Sequence, residues 1–153
     1  MPVVNTEIVT HHSPENLFQL VSDIARYPEF IRWIKAMRVS SEREDSGVSY
    51  KLGEALVGFK GFTERFATNV IADPAQSTVT AKLVRGPFRK LKNTWEFSAI
   101  EPGKTRVKFH IDYEFSNPVL AMLARKNTDS AIENIVKSFL MEADRRYGPE
   151  NAS

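Results

Sequence analysis

Cysteine is absent from the 153 residues. Its absence excludes a disulfide scaffold, a thiolate metal site, an iron–sulfur cluster and a cysteine nucleophile, and it fits a reducing compartment. Histidine is scarce: His11, His12 and His110 are the only three. None stands at the spacing of H-E-x-x-H or another ligand set, so no metal centre is expected. The chain also lacks G-x-S-x-G, a P-loop and G-x-G-x-x-G. No run approaches the ~20 apolar residues that cross a bilayer. The richest, Pro118-Val119-Leu120-Ala121-Met122-Leu123-Ala124, is far too short. Charge of one sign is missing as well, since 21 Lys and Arg against 19 Asp and Glu leave only +2. That surplus alone does not argue for a nucleic-acid partner. The first residues show neither a basic segment before a long apolar run nor Arg-rich, acid-poor character, so no signal peptide or mitochondrial presequence is expected. These absences predict a cytoplasmic protein that can touch a membrane, peripherally at the inner face of the cytoplasmic membrane, but cannot span one.

What remains has ordinary globular composition, 42% hydrophobic and 26% charged, and the length of one domain. That domain is expected over residues 1–148, with a short tail at 149–153. Alternation from Val3 to Thr10 predicts a first strand. Ser13-Pro14-Glu15 is a helix start, with Ser as cap, Pro in the first turn and Glu at the positive dipole end. Asp23 is placed to cap a second short helix ahead of Tyr27-Pro28.

From residue 36 to 115 the period is two. Val48, Tyr50, Leu52 and Leu56 share one face of a strand. Phe62, Glu64, Phe66, Thr68 and Val70 share a face of the next, after a hairpin at Gly58 to Gly61. Val79, Ala81 and Leu83 follow, then Leu91, Asn93, Trp95, Phe97 and Ala99. The clearest alternation is the last: Val107, Phe109, Ile111, Tyr113 and Phe115. Short turns between consecutive strands imply an antiparallel sheet with one wet and one covered face. Asn117-Pro118 then opens a long helix that Gly148-Pro149 stops. Thr128, Ile132, Ile135, Val136, Phe139 and Ala143 form its apolar stripe.

The predicted fold class is therefore α+β: a curved antiparallel sheet of about seven strands, two short N-terminal helices and one long C-terminal helix. One helix stripe cannot cover so wide a sheet, and part of the aromatic inner face must line a cavity. In this arrangement the chain resembles the START-like helix-grip superfamily of polyketide-cyclase-like proteins, and within it the coenzyme-Q-binding subgroup with its RatA-type bacterial relatives. Four patterns carry the resemblance: Tyr27-Pro28-Glu29-Phe30 with Trp33; Gly61-Phe62-Thr63-Glu64-Arg65-Phe66; Gly86-Pro87-Phe88-Arg89-Lys90-Leu91 with Asn93, Trp95 and Phe97; and the helix ending Phe139, Ala143, Tyr147, Gly148. Arg32 stands where the family pattern has a proline.

The resemblance implies a non-catalytic protein that encloses ubiquinone or a related polyprenyl quinone, supports respiratory electron transport or quinone biosynthesis, and needs no catalytic cofactor. Its expected wall comprises Trp33, Phe62, Glu64, Phe66, Phe88, Leu91, Asn93, Trp95, Phe109 and Ile111. From the long helix it adds Leu120, Leu123, Ile132, Val136 and Phe139. Loops at 27–34 and 85–90 would gate it, and the isoprenoid tail would leave past Phe88 and the start of the helix. An internal Glu64 needs a partner, because an unpaired buried carboxylate is costly. A structural ion pair is the first expectation, a hook for a ligand carbonyl or hydroxyl the second. Asn93 is expected to satisfy a neighbouring loop or hold a quinone oxygen. Arg85, Arg89, Lys90 and Lys92 form either a solvated loop or a rim for anionic lipid or ribosomal RNA. Two other functions stay open: a ribosome-associating translation inhibitor of the RatA type, and a polyketide cyclase or aromatase with Glu64 as its acid–base group.

Overall fold

The computed structural model describes residues 3–59 and 61–148, apart from the side chains of Phe59, Phe62, Leu120, Leu123, Ala124 and residues 126–131. Strand β1 (Val3–Thr10) leads into helix α1 (Pro14–Ser22) and a 3-10 helix (Ile24–Glu29). Six strands follow: β2 (Ile34–Asp45), β3 (Val48–Phe59), β4 (Phe62–Asp73), β5 (Thr78–Arg85), β6 (Phe88–Glu101) and β7 (Lys104–Phe115). Helix α2 (Pro118–Tyr147) ends the described chain. The strands form one antiparallel sheet in the order β1-β7-β6-β5-β4-β3-β2. The expected helix-grip architecture is thus present, and β2 is the strand that alternation had not resolved. Its sequence from Ser40 to Asp45 is polar and exposed, so it carries no inside–outside rhythm.

Both caps form as their residue types require. Ser13 Oγ accepts from the Asn16 N–H at 3.1 Å, and Asn117 Oδ1 accepts from the Val119 N–H at 2.8 Å. Asp23 does precede the 3-10 helix, but its side chain makes no capping bond. On β3 the inward residues are Gly53, Ala55 and Val57, not the larger Tyr50, Leu52 and Leu56. A small inner surface is needed there because the 3-10 helix lies against it: a Cβ at Gly53 would stand 2.7 Å from Ile24 Cδ1.

Antiparallel order gives the sheet two unlike ends. At one end α1 and the last turns of α2 meet the sheet in a packed core of Leu17, Leu20, Val21, Phe97, Val107 and Ala143. Here His12, 4% exposed, hydrogen-bonds Asp144 Oδ1 at 2.7 Å, and His11 Nε2 lies 3.0 Å from the Gly148 carbonyl. These contacts join the segment after β1 to the end of α2 across more than 130 residues of sequence. Glu142 is buried between Arg145 and Arg146, each 2.6 Å away. The Arg146 guanidinium also lies over the Phe30 ring, tying α2 to the 3-10 helix. The chain at residues 31–33, 58–59, 61–62, 85–88 and 115–118 gathers at the other end, linked by the Gly58 N–H to Trp33 carbonyl and Ser116 N–H to Pro87 carbonyl bonds.

Gly86 sits at this second end with φ +146°, and a Cβ there would come within 2.4 Å of Phe66 Cβ and 3.0 Å of Phe66 Cα. Gly47, by contrast, has open space around it. Gly47→Ala should therefore cost about 1 kcal/mol, the ordinary penalty of a left-handed position. Gly86→Ala should cost more, roughly 2–4 kcal/mol, because backbone must move as well. Thermal melts of the two variants compare them directly.

The Arg145 hydrogen bond, reinforced by Arg146, holds the Glu142 carboxyl down to about 2 against a burial that would raise it. A depressed native pKa gives stability that is complete above the unfolded carboxylate value and disappears as pH falls through the native one. Glu142→Gln should lower the melting temperature at neutral pH. Its deficit should shrink between pH 4.5 and 2, where wild type loses the same interaction.

Candidate functional site

Between the packed end and the loop end lies a cavity of about 440 Å³. Phe139 closes its floor. This ring projects from α2 and meets Tyr27, Phe30 and Trp95 edge-on, with centroids 5.1, 5.3 and 4.9 Å away. Trp95 is braced in turn by Phe109 at 4.7 Å. The Tyr27 hydroxyl donates to the Val21 carbonyl, and burial pushes its phenol well above the usual range. Toward the loops the wall continues through Phe66, Phe88 and Phe115. Phe88 stands edge-on to Phe66 at 5.5 Å and stacks on Phe115 at 4.6 Å.

Most of the expected wall is brought together. Trp33, Glu64, Phe66, Phe88, Leu91, Asn93, Trp95, Phe109, Ile111, Ile132 and Phe139 all line the cavity. Val136 does not. It belongs to the packed core, because α2 turns it toward the closed end. The expectations for Phe62, Leu120 and Leu123 fall outside the described side chains, as does that for Thr128. Phe88 and Leu91 cannot both face inward on a regular strand, and a break of register between Phe88 and Lys90 is what allows it.

Sequence reasoning missed two parts of the wall. Ile24, Tyr27 and Ile31 come from the 3-10 helix and the loop after it, where no period marks a face. Gly53, Ala55 and Val57 were overlooked because small residues do not stand out as a surface.

Two expectations for polar residues are corrected. Glu64 is half-buried in the cavity wall, and among the described residues no cation or donor pairs with it; the expected ion pair is not formed. Asn93 donates through Nδ2 to the His110 carbonyl at 2.9 Å, so it is held by a neighbouring strand and not a loop. The four basic residues of the expected rim differ in their surroundings. Arg85 is exposed and paired with Glu54 at 2.6 Å, Lys90 is half-buried and paired with Asp112 at 3.1 Å, and Arg89 and Lys92 are exposed. Arg32, Lys35 and Arg65 are further exposed cations at the loop end. Among the described residues, the large apolar side chains exposed there are Trp33, Val84, Val119 and Met122.

Among the described residues, one set of His and acid groups, His11, His12 and Asp144, converges within 4.8 Å. Sequence spacing could not reveal it, because Asp144 arrives from the far end of the chain. Both Nε2 atoms already have hydrogen-bond partners, and the set lies at the packed end, away from the cavity. No helix of the described residues is long and apolar enough to cross a membrane.

A curved sheet closed by one long helix over an aromatic cavity has known counterparts. The polyketide cyclase/dehydrase and lipid transport family model matches residues 10–140. The chain belongs to this family. It is 28% identical over 141 residues to the mitochondrial coenzyme Q-binding protein of Schizosaccharomyces pombe, covering 92% of this chain and 85% of that one. It is 31% identical over 131 residues to the ribosome association toxin RatA of Rickettsia prowazekii, covering 84% and 86%. The solution structure of the 18 kDa protein CC1736 of Caulobacter crescentus superposes with a TM-score of 0.80 at 35% identity, covering 97% and 100%. A START superfamily protein of Mycobacterium smegmatis shares the fold at 22% identity and a TM-score of 0.78, covering 94% and 97%. Two of these relatives carry functional names, one for quinone binding and one for ribosome association, and the family supports a lipid-binding START-like domain.

Ala81 lies at the middle of the sheet in the row Val70, Ala81, Asn93, Ile111, all four facing the cavity. Adding volume there separates a hollow from a filled interior. In a packed core Ala81→Phe would cost roughly 1–3 kcal/mol through overpacking. Here it should leave the melting temperature nearly unchanged or raise it, while abolishing binding of any ligand the cavity holds.

Proposed function

We propose that the protein is a non-catalytic carrier of an apolar ligand, with ubiquinone or a related polyprenyl quinone as the occupant that fits best. The observation that carries this reading is the cavity itself. Its volume falls in the usual range for small-molecule sites, roughly 300–1,000 Å³, and its wall is aromatic and aliphatic with few polar groups. A headgroup fills such a space, and a long isoprenoid tail must leave it. The loop end provides the exit, beside the exposed Trp33, Val119 and Met122. The mitochondrial relative named for coenzyme Q binding supports the same ligand class. Acid–base chemistry is disfavoured by the wall, where, among the described residues, Glu64 is the only carboxylate and His11, His12 and His110 are all absent.

A second reading follows from the relatives named for ribosome association and from Arg32, Lys35, Arg65 and Arg89 exposed at one end. Contact with ribosomal RNA through these cations would weaken steeply with salt. A ligand enclosed in an apolar cavity would not respond in this way.

Native mass spectrometry and solvent extraction of the purified protein test the first reading. Quinone should be recovered in near-stoichiometric amount, at low and high salt alike. Protein that is empty, and that binds no added short-chain quinone, would sink it. Salt-sensitive co-sedimentation with large ribosomal subunits by that same empty protein would favour the second.

A further inference from the structure

Several acids that the fold draws out of full exposure hold cations. Glu54 holds Arg85, Asp112 holds Lys90, and Glu142 holds two arginines. Glu64 does not. It lies in the cavity wall on β4, opposite Val57 of β3 and on the same face as Phe66, and no described side chain bonds to it. Arg65, the nearest cation in sequence, is exposed on the other face of the strand. A carboxylate carries lone pairs and no hydrogen to donate. Placed unpaired in an apolar wall, it costs free energy until water or a ligand supplies a donor.

An acceptor-only ligand cannot supply one. A quinone carbonyl brought to Glu64 sets lone pair against lone pair and displaces water without replacing its hydrogen bonds. Elsewhere the wall is more permissive. The indole N–H of Trp95, a buried residue, has no hydrogen-bond partner among the described residues, and an amide keeps a free acceptor at Asn93 Oδ1. A hydroxyl suits a partner of either kind, because it donates and accepts at once. Accordingly, we infer that the ligand is held at Glu64 through an O–H donor on an apolar ring, and that the cavity selects the hydroxylated, quinol or phenol form of its ligand over the carbonyl form. This inference rests on the reading that the cavity holds an apolar ring compound. It adds which chemical form is bound and which side chain chooses.

The test uses two matched pairs of probes: 4-octylphenol with its methyl ether, and short-chain ubiquinol with the corresponding ubiquinone under anaerobic conditions. Affinities are read from quenching of tryptophan fluorescence in the wild type and in Glu64→Gln, whose amide presents an N–H donor in the same shape. Wild type should bind the hydroxylated member of each pair about tenfold more tightly. In Glu64→Gln the two members should come within threefold, chiefly through better binding of the ether and the quinone. Because the methyl ether is also bulkier, a preference that survives in Glu64→Gln would be steric and would overturn the inference. Equal binding of both members by wild type would overturn it while leaving the cavity reading intact. If no probe binds either protein, the cavity reading falls and takes the inference with it. A separate measurement guards against a structural role: Glu64→Gln should melt at or above the wild-type temperature, and a marked loss would mean that the carboxylate serves the fold.

Discussion

Everything about the site depends on a mismatch of widths. One helix, α2, must cover a face built from seven strands, and it can press closely against only part of it. Phe139 decides which part. Wedged among Tyr27, Phe30 and Trp95, its ring seals the sheet to the helix at mid-length. On one side of that seal, α1 and the last turns of α2 fill the space. On the other side nothing in the described chain does, and the hollow is the result. The cavity is therefore no packing defect. It is the part of the concave face that the helix cannot reach.

Anchoring is as uneven as packing. The closed end has the His12–Asp144 bond, the Glu142 cluster and the Arg146–Phe30 contact. The open end relies on main-chain bonds between loops and on the aromatic stack of Phe66, Phe88 and Phe115. Stability and ligand access are thus assigned to different ends of the same elements. A substitution at the closed end is felt by the whole fold, whereas one at the open end chiefly alters the wall.

How much of this the sequence disclosed follows from periodicity. Strands with one apolar face, such as Val107 to Phe115, declared both their existence and their inner side, and the cap residues at Ser13 and Asn117 declared where the helices begin. The polar edge strand β2 was silent because an exposed ribbon has no pattern to keep. Gly53 and Ala55 were silent because their role is to be small. The fate of Glu64 was misjudged for another reason: alternation says which way a side chain points, but not whether a cation from a distant strand will meet it. The pairings of Asp144 with His12 and of Arg85 with Glu54 were invisible for the same reason, since only the folded chain brings them together.

The loop end exposes Arg32, Lys35, Arg65 and Arg89, while the turns at the opposite end carry Glu44, Asp45, Asp73 and Glu101. With a formal net charge of only +2, the molecule as a whole exerts little long-range pull on a polyanion. Charges grouped at one end act only at close range, because salt screens them beyond about 8 Å at physiological ionic strength. Within that distance the loop-end cations would set which end meets a polyanionic surface, and that end is the one beside the cavity.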